Sequence, residues 1–191
     1  MLEMLRSIQT AHFTALSGTD TEIDIEGRDF TINVLITVGK IGNIPAGEIF
    51  CAPVETGAGG LIAIDGVNGN VGTVTQPLVM AVEEGRLSKG KSDGTDLKKK
   101  IREFCSVDGM DSIIGEFSIG MNPTASLTGN LLEDEKAYRT IHIAFGHNEE
   151  MPGGRNTSQV HRNYLFHTPT VTITYLDGSQ RELLKDGAMQ L

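Results

Sequence analysis

The sequence predicts a β-rich α+β fold, with mostly antiparallel strands and few helices in a single compact domain over residues 1–191. Three observations lead to this prediction. Short segments in which apolar and polar residues alternate recur along most of the chain, as in strands with one buried face. Gly, Pro or Asn separates most of these segments, and these residues favour the turns that connect strands. Apolar residues at helical spacing occur in only two segments.

The first element is predicted to be a short amphipathic helix over residues 1–12. The positions at helical spacing hold Met1, Leu5, Ile8 and His12. From residue 21 the period changes to two, and Ile23 and Ile25 alternate with acidic residues, which indicates a strand with one solvated face. Further strands are predicted at residues 30–39, 48–54, 59–66, 77–85, 113–120, 140–146, 170–176 and 180–187.

A second helix is predicted after Thr95, a residue suited to cap its first turn. The apolar stripe of this helix consists of Leu97, Ile101, Phe104 and Cys105. The DG pair in YLDGSQ lies between the last two predicted strands, which is typical of a hairpin turn. The polar segment 147–160 is predicted to be a long loop, and such loops often carry functional residues.

The charge balance excludes several classes of partner. Lys and Arg number 16 against 25 Asp and Glu, a formal net charge of −9, so the surface should repel nucleic acid and anionic membranes.

No apolar run approaches the ~18 residues of a membrane-spanning helix, and the first residues lack the order of a secretory signal. Cys51 and Cys105 lie in apolar sequence, which is typical of buried thiols in a reducing compartment. We therefore expect a soluble cytoplasmic protein.

One short motif matches a nucleotide-binding pattern without the surroundings that the pattern requires. GRLSKGKS, residues 85–92, fits the phosphate-loop pattern G-x-x-x-x-G-K-[ST]. That loop requires a helix to begin directly at the Lys and Ser, so that backbone N–H groups surround the phosphates. Here Gly94 follows, the helical pattern begins only near Thr95, and no parallel strand pattern surrounds the loop. We expect a charged connection between a strand and a helix instead.

Polar residues inside strand patterns suggest a chemical function. Glu48 shares a strand face with Phe50, so its charge requires a partner if that face is buried. Glu116 points away from the apolar face of its strand, and His142 lies on a face of small residues. Each residue also has an ordinary interpretation: Glu116 as a solvated acid, and His142 as a hydrogen-bonded core histidine.

A further histidine, His161, ends the polar loop, and Asn163 follows where a carboxylate would complete a metal-binding pair. His161 alone is equally compatible with an ordinary loop residue. Together with the acids, the two histidines supply the ligand types that bind Zn²⁺, Mn²⁺, Co²⁺ or Fe²⁺. No HExxH or CxxC motif is present, so the spacing alone leaves the metal site an open hypothesis.

Several blocks of the sequence resemble the aminopeptidase T family of metallopeptidases. They are NIPAGEIFCAPVE (43–55), GEFSIGMNP (115–123), EDEKAYRTIHIAFG (133–146) and GGRNTSQVH (153–161), in the order found in the family. The resemblance covers most of the chain and corresponds to the family's C-terminal, metal-binding half only. It implies a peptide or other small molecule as substrate and, because family members are dimers, self-association.

The resemblance also implies a set of metal ligands. In that family two divalent ions, such as Zn, Co or Mn, lie side by side and are held by glutamates, histidines and an aspartate. Carried over, Glu48 and Glu116 are ligands, one of them bridging, and Glu135 and His142 join the same cluster. His161 corresponds to the first residue of the family's His-x-Asp pair. Proton transfer in catalysis falls to a glutamate of this set, Glu116 or Glu135.

Two departures from the family pattern affect these expectations. Asn163 stands where the family has the aspartate, and an amide oxygen binds divalent ions less well because it carries no charge. At least one of two metal sites should therefore be weaker. In addition, Glu149 stands near the place where part of the family has a tyrosine after the strand histidine.

Three functions follow from these residues. The first is a metal-dependent aminopeptidase that removes N-terminal residues through a metal-activated water. The second is a ring-cleaving dioxygenase with one Fe(II), because dihydroxypyridine dioxygenases resemble the same family and two histidines with one carboxylate leave positions open for oxygen. The third is a non-catalytic homologue that lost competent metal binding at Asn163 and acts as a binding module.

Overall fold

The computed structural model describes residues 2–34, 39, 43–64, 67–68, 72–73, 78–88 and 106–190. Two sheets account for the named strands, and neighbouring strands in both sheets run antiparallel. The described helices are short: a 3-10 helix at Leu2–Leu5 and an α-helix, α1, at Leu131–Asp134. The prediction of a β-rich fold with few helices is confirmed.

The first sheet has eight strands, whose spatial order is β15 (Ala188–Met189), β14 (Gln180–Lys185), β13 (Thr170–Tyr175), β1 (Ile8–Ala15), β2 (Thr19–Asp24), β5 (Ala58–Ile64), β8 (Leu78–Glu83) and β9 (Arg86–Ser88). The second has seven, in the order β3 (Thr31–Asn33), β4 (Glu48–Cys51), β10 (Ile114–Gly120), β11 (Thr140–Gly146), β12 (His161–His167), β6 (Val67–Asn68) and β7 (Gly72–Thr73). The last two predicted strands form the expected hairpin, β13 with β14.

The hydrophobic core lies between the two sheets. Phe13 of β1 packs against two rings of the second sheet, with centroid distances of 6.3 Å to Phe117 and 5.3 Å to Phe166. In β10 and β11 the alternate apolar residues join this core. Because side chains alternate along a strand, the remaining residues of β10 and β11 emerge on the outer face of the second sheet. That face includes Glu116 and His142, and it is also buried.

The predicted helix over residues 1–12 is wrong beyond Leu5, because β1 begins at Ile8. The register of β1 against β13 shifts between Ile8 and Thr10, which marks a bulge or irregularity. His12, which completed the helical spacing with Leu5 and Ile8, lies in β1 between the buried residues Ala11 and Phe13 and is itself only half-buried. Strand β1 pairs with β2 on one side and β13 on the other, and this tertiary pairing overrides the local pattern.

Other elements also differ from the prediction. The predicted strand 30–39 is described as a strand only at β3, and the predicted helix that follows Thr95 lies outside the described residues, as does Cys105. Residues 86–88, expected in a connection, form β9 and pair with β8. Strand β12 and helix α1 were not predicted. Within the described residues, no helix has the length and apolar character needed to span a membrane.

Replacing Phe13 with Ala should destabilise the protein strongly, because it removes the ring that joins the two sheets. Phe-to-Ala changes in a core cost about 3–5 kcal/mol. Urea unfolding, followed by circular dichroism in the presence of a chelator, measures this loss. Leu16→Ala is the control, since Leu16 is 91% exposed and a surface change shifts the free energy of unfolding by at most about 0.5 kcal/mol. Equal effects of the two substitutions would contradict this account of the core.

Candidate metal centre

The acids and histidines singled out from the sequence meet on the outer face of the second sheet. Glu48, Glu116, His142 and His161 come from the four adjacent strands β4, β10, β11 and β12, one from each. Neighbouring strands lie only about 4.8 Å apart, so residues far apart in sequence become neighbours here. Ala144 pairs with Glu116 on one side and with Asn163 on the other, and its small side chain leaves room between them.

The carboxylate of Glu116 lies between the imidazoles of His142 and His161. Its Oε1 atom lies 3.4 Å from His142 Nε2, and its Oε2 atom lies 2.9 Å from His161 Nε2. Burial alone would raise the pKa of Glu116, but hydrogen bonds and charge from the two histidines outweigh it and lower the pKa to about 2. The interpretation of Glu116 as a solvated acid is therefore wrong, because only 5% of the residue is exposed.

His161 is the first residue of β12 and is oriented by the backbone of the preceding loop. Its Nδ1 atom lies 2.7 Å from the carbonyl oxygen of His147. A carbonyl only accepts hydrogen bonds, so Nδ1 must carry a proton and donate it. The other ring nitrogen, Nε2, then faces Glu116 and is free to bind a metal ion in the neutral imidazole.

The loop 147–160 is held in a fixed conformation. Gly146 has φ +108°, and a Cβ atom there would lie 2.0 Å from the carbonyl oxygen of Val160, so the start of the loop requires glycine. Asn156 is buried and donates from Nδ2 to the carbonyl oxygen of Gly146 at 2.8 Å. Glu55, just after β4, accepts hydrogen bonds from Arg155 N at 2.8 Å and Arg28 Nη2 at 2.8 Å. The loop is thus tied to the segment that follows β4.

His142 is buried, and its Nε2 atom lies 4.0 Å from Glu48 Oε2 as well as near Glu116. Burial alone would lower the pKa of His142, but the carboxylates of Glu116, Glu48 and Glu135 raise it. Among the described residues, none hydrogen-bonds to the Nδ1 atom of His142. His142 is therefore a component of the acidic cluster rather than a fully hydrogen-bonded core histidine.

A lysine that the sequence analysis did not select completes the cluster. Lys136 is 1% exposed; its Nζ lies 2.6 Å from Glu48 Oε1 and also contacts Glu135 Oε1. Both Glu135 and Lys136 directly follow helix α1, which places them over the strands. The adjacent pair was visible in EDEKAYR, but nothing local indicated that the lysine would be buried.

Asn163 contacts the same cluster through Glu135. Its Nδ2 atom donates to Glu135 Oε2 at 2.8 Å. Its Oδ1 atom is buried, and no donor in the described part of the chain reaches it. A buried acceptor without a donor is costly, and a cation near Oδ1 would satisfy it.

A cavity of about 290 Å³ opens onto these side chains. Its polar lining consists of Asn43, Glu48, Glu116, Glu135, His142, His161 and Asn163. Its apolar lining consists of Phe50, Leu131, Leu132 and Met151. The cavity therefore combines a cluster of metal-binding atom types with an apolar wall.

The arrangement satisfies the requirements of a divalent cation. Glu48, Glu116 and His142 each offer a ligand atom, and these atoms lie within 4.8 Å of one another. Oxygen and imidazole ligands suit Zn²⁺, Mn²⁺, Co²⁺ and Fe²⁺. The unpaired Asn163 Oδ1 and the oriented Nε2 of His161 lie in the same cluster. The residues fit such an ion on their own geometry.

Comparison with known proteins identifies the family. The model of the thermophilic metalloprotease family (M29) matches residues 2–189. The chain belongs to this metalloprotease family. The resemblance seen in the sequence is thereby confirmed, and family membership implies a divalent metal. A search of curated proteins gave no match.

Two solved structures share the fold of this chain. Wild-type AmpT from Thermus thermophilus matches with a TM-score of 0.81 and 22% identity, over 100% of this chain and 52% of that one. A 2,5-dihydroxypyridine dioxygenase from Pseudomonas putida KT2440 matches with a TM-score of 0.84 and 16% identity, over 99% and 57%. The chain thus spans somewhat more than half the length of the structures that it matches. At these identities the similarity shows the fold alone.

The metal-free protein should lose stability as the pH rises. The pKa values of His142 and His161 are raised in the fold because Glu116 outweighs the effect of burial. The stabilisation from two charged histidines is complete below about pH 6.5, the pKa of an unperturbed histidine. It is lost as the pH rises through the raised pKa values. Calorimetry with a chelator should show Tm falling as the pH rises above about 6.5.

The matched variants for this experiment lie on one strand. His161→Gln should show a shallower fall in Tm, whereas His167→Gln, at the other end of β12, should keep the wild-type dependence. Saturating divalent metal should reverse the trend, because metal ions compete with protons for the imidazoles. An identical pH dependence in His161→Gln and the wild type would refute this account of the histidines.

Proposed function

We propose that this chain acts as a metal-dependent peptidase that removes N-terminal residues from peptides. The observation that supports it most directly is the set of three buried carboxylates, the buried imidazole of His142 and the more exposed imidazole of His161 around one cavity, in a member of a metalloprotease family. Buried acids and histidines that perturb one another's pKa values in a cavity are typical of functional sites.

We assign metal binding to Glu48, Glu116, His142 and His161, with Asn163 Oδ1 as a further oxygen donor. Glu116 faces both histidines, a position that suits a ligand better than a proton carrier. The bound cation would supply Lewis acidity that polarises a peptide carbonyl and activates water. The ligand histidines would be neutral in this state, each using Nε2.

Proton transfer is assigned to Glu135. It lines the cavity, and each of its oxygens accepts one hydrogen bond, from Lys136 and from Asn163. A carboxylate oxygen has two lone pairs, so Glu135 retains capacity to take a proton and return it to the leaving amine. Lys136 and Asn163 would hold this carboxylate in a fixed orientation.

The shape of the cavity supports a short substrate. A volume of about 290 Å³ is at the lower end of the range for small-ligand sites, roughly 300–1,000 Å³. Leu131, Leu132 and Met151 form an apolar wall, which favours an apolar side chain at the residue to be removed.

The self-association and the cytoplasmic location that we expect from the sequence stay predictions.

The purified chain, loaded with Zn²⁺, Mn²⁺ or Co²⁺, should hydrolyse leucine p-nitroanilide, and a chelator should abolish the reaction. Aspartate p-nitroanilide should react at least ~10-fold more slowly, because burying an unpaired charge against the apolar wall is costly. N-acetyl-leucine p-nitroanilide tests the need for a free amine and should remain intact. Absence of hydrolysis with every metal would contradict the proposal and favour the non-catalytic interpretation.

Substitutions at two glutamates should separate metal binding from proton transfer. Glu135→Gln should lower kcat by about 10²–10⁴-fold, the usual contribution of general acid–base catalysis, while elemental analysis shows unchanged metal content. Glu116→Gln should lose metal as well as activity. Glu150→Gln, at an exposed position of the nearby loop, is the control and should leave both unchanged. Full activity and metal content in Glu116→Gln would rule out this site.

A second candidate function is supported by the dioxygenase match. His142, His161 and one carboxylate could form the kind of facial triad that binds Fe(II) and leaves positions open for oxygen. Anaerobic loading with Fe(II), followed by an oxygen electrode measurement with dihydroxypyridine, separates this activity from peptide hydrolysis. Oxygen uptake without cleavage of leucine p-nitroanilide would favour the dioxygenase.

A further inference from the structure

The position of Lys136 bears on the number of metal ions that the site can hold. Its ammonium group lies between the carboxylates of Glu48 and Glu135, touching one oxygen of each. A position between two carboxylates is one that a second divalent ion could take, because carboxylate oxygens are common ligands of such ions. Here a covalently attached cation already occupies the position between these two acids.

The remaining oxygens of these two glutamates have different surroundings. Glu48 Oε2 lies on the side of His142, at 4.0 Å from Nε2, and is available to a metal ion there. Glu135 Oε2 accepts a hydrogen bond from Asn163 Nδ2 at 2.8 Å. Glu48 therefore has one oxygen on the side of the histidines, whereas each oxygen of Glu135 already accepts a hydrogen bond, from Lys136 or from Asn163.

The net charge of the site also favours one divalent ion over two. Glu48, Glu116 and Glu135 contribute −3, Lys136 contributes +1, and metal-bound histidines are neutral, so the site carries −2. One divalent cation neutralises this charge, while two would leave +2 in a buried site, which is strongly unfavourable. Asn163 adds no charge to compensate a second ion.

We propose that Lys136 serves as a fixed cation of the site, so that each chain binds one divalent ion rather than two. This inference rests on the proposed metal-dependent function and concerns its metal stoichiometry. Glu116, His142 and His161 would hold the ion, and the Lys136 ammonium would take the place of a second one. Lys136 is thereby a positioning residue, which holds the carboxylates of Glu48 and Glu135 without touching the substrate.

The variants that test this proposal change the charge of the site in steps. Asn163→Asp brings it to −3 but leaves Lys136 in place, so the stoichiometry should stay at one ion per chain and the ion should be retained better on dialysis. The double variant Lys136→Met with Asn163→Asp brings the charge to −4, which two divalent ions neutralise. This variant should bind two ions.

The experiment uses Mn²⁺ as the probe. Each protein is loaded with excess Mn²⁺ and desalted, and the metal is measured by elemental analysis and by electron paramagnetic resonance. The wild type should contain one Mn²⁺ per chain with the six-line spectrum of an isolated ion. The double variant should contain two, with the broadened spectrum of a coupled pair.

Two ions per chain in the wild type, or in Asn163→Asp, would overturn the proposal, and these two proteins decide the outcome even if the double variant fails to fold. No bound ion in the wild type would overturn it as well. Hydrolysis of leucine p-nitroanilide, measured on the same samples, tests the proposed peptidase activity separately from the proposed metal stoichiometry. Two ions with activity would refute only the stoichiometry, and one ion without activity would refute only the peptidase.

Discussion

Compensation of buried negative charge is the constraint on which this site depends. Glu48, Glu116 and Glu135 are all buried on one face of a sheet, and three isolated carboxylates could not remain ionised there. The protein supplies Lys136, two histidines and an amide as partners. With protonated histidines the formal charges of the cluster sum to zero without a metal ion.

The second sheet serves two purposes because both of its faces are buried. One face packs against the first sheet through Phe117 and the alternating apolar residues of β10 and β11. The other carries the acids and histidines at the intervening positions. A shift of one residue in register would exchange the two sets, so the hydrophobic core fixes the positions of the chemical groups. The site is therefore built on rigid strands, with His161 added at a strand end.

Much of this arrangement could be predicted from the sequence, because alternation along a strand is a local property. The faces of Glu116 and His142 followed directly from their apolar neighbours, and the blocks around them indicated the family. The burial of Lys136 could not be predicted, since it depends on where α1 sits over the sheet. The helix assigned to the first residues failed because Leu5 and Ile8, which are three positions apart, belong to two different elements, the 3-10 helix and β1. The orientation of His161 depends on the backbone carbonyl of His147, which no side-chain pattern reveals.

The hydrogen bonds of Glu55 connect two parts of the site that are distant along the chain. Glu55 follows the strand of Glu48, and it binds the backbone of Arg155 in the loop that leads to His161. A displacement of that loop would pull on the segment behind the other side of the cavity. Through Glu55, the segment that follows β4 and the loop that leads to His161 therefore keep a fixed relation across the cavity.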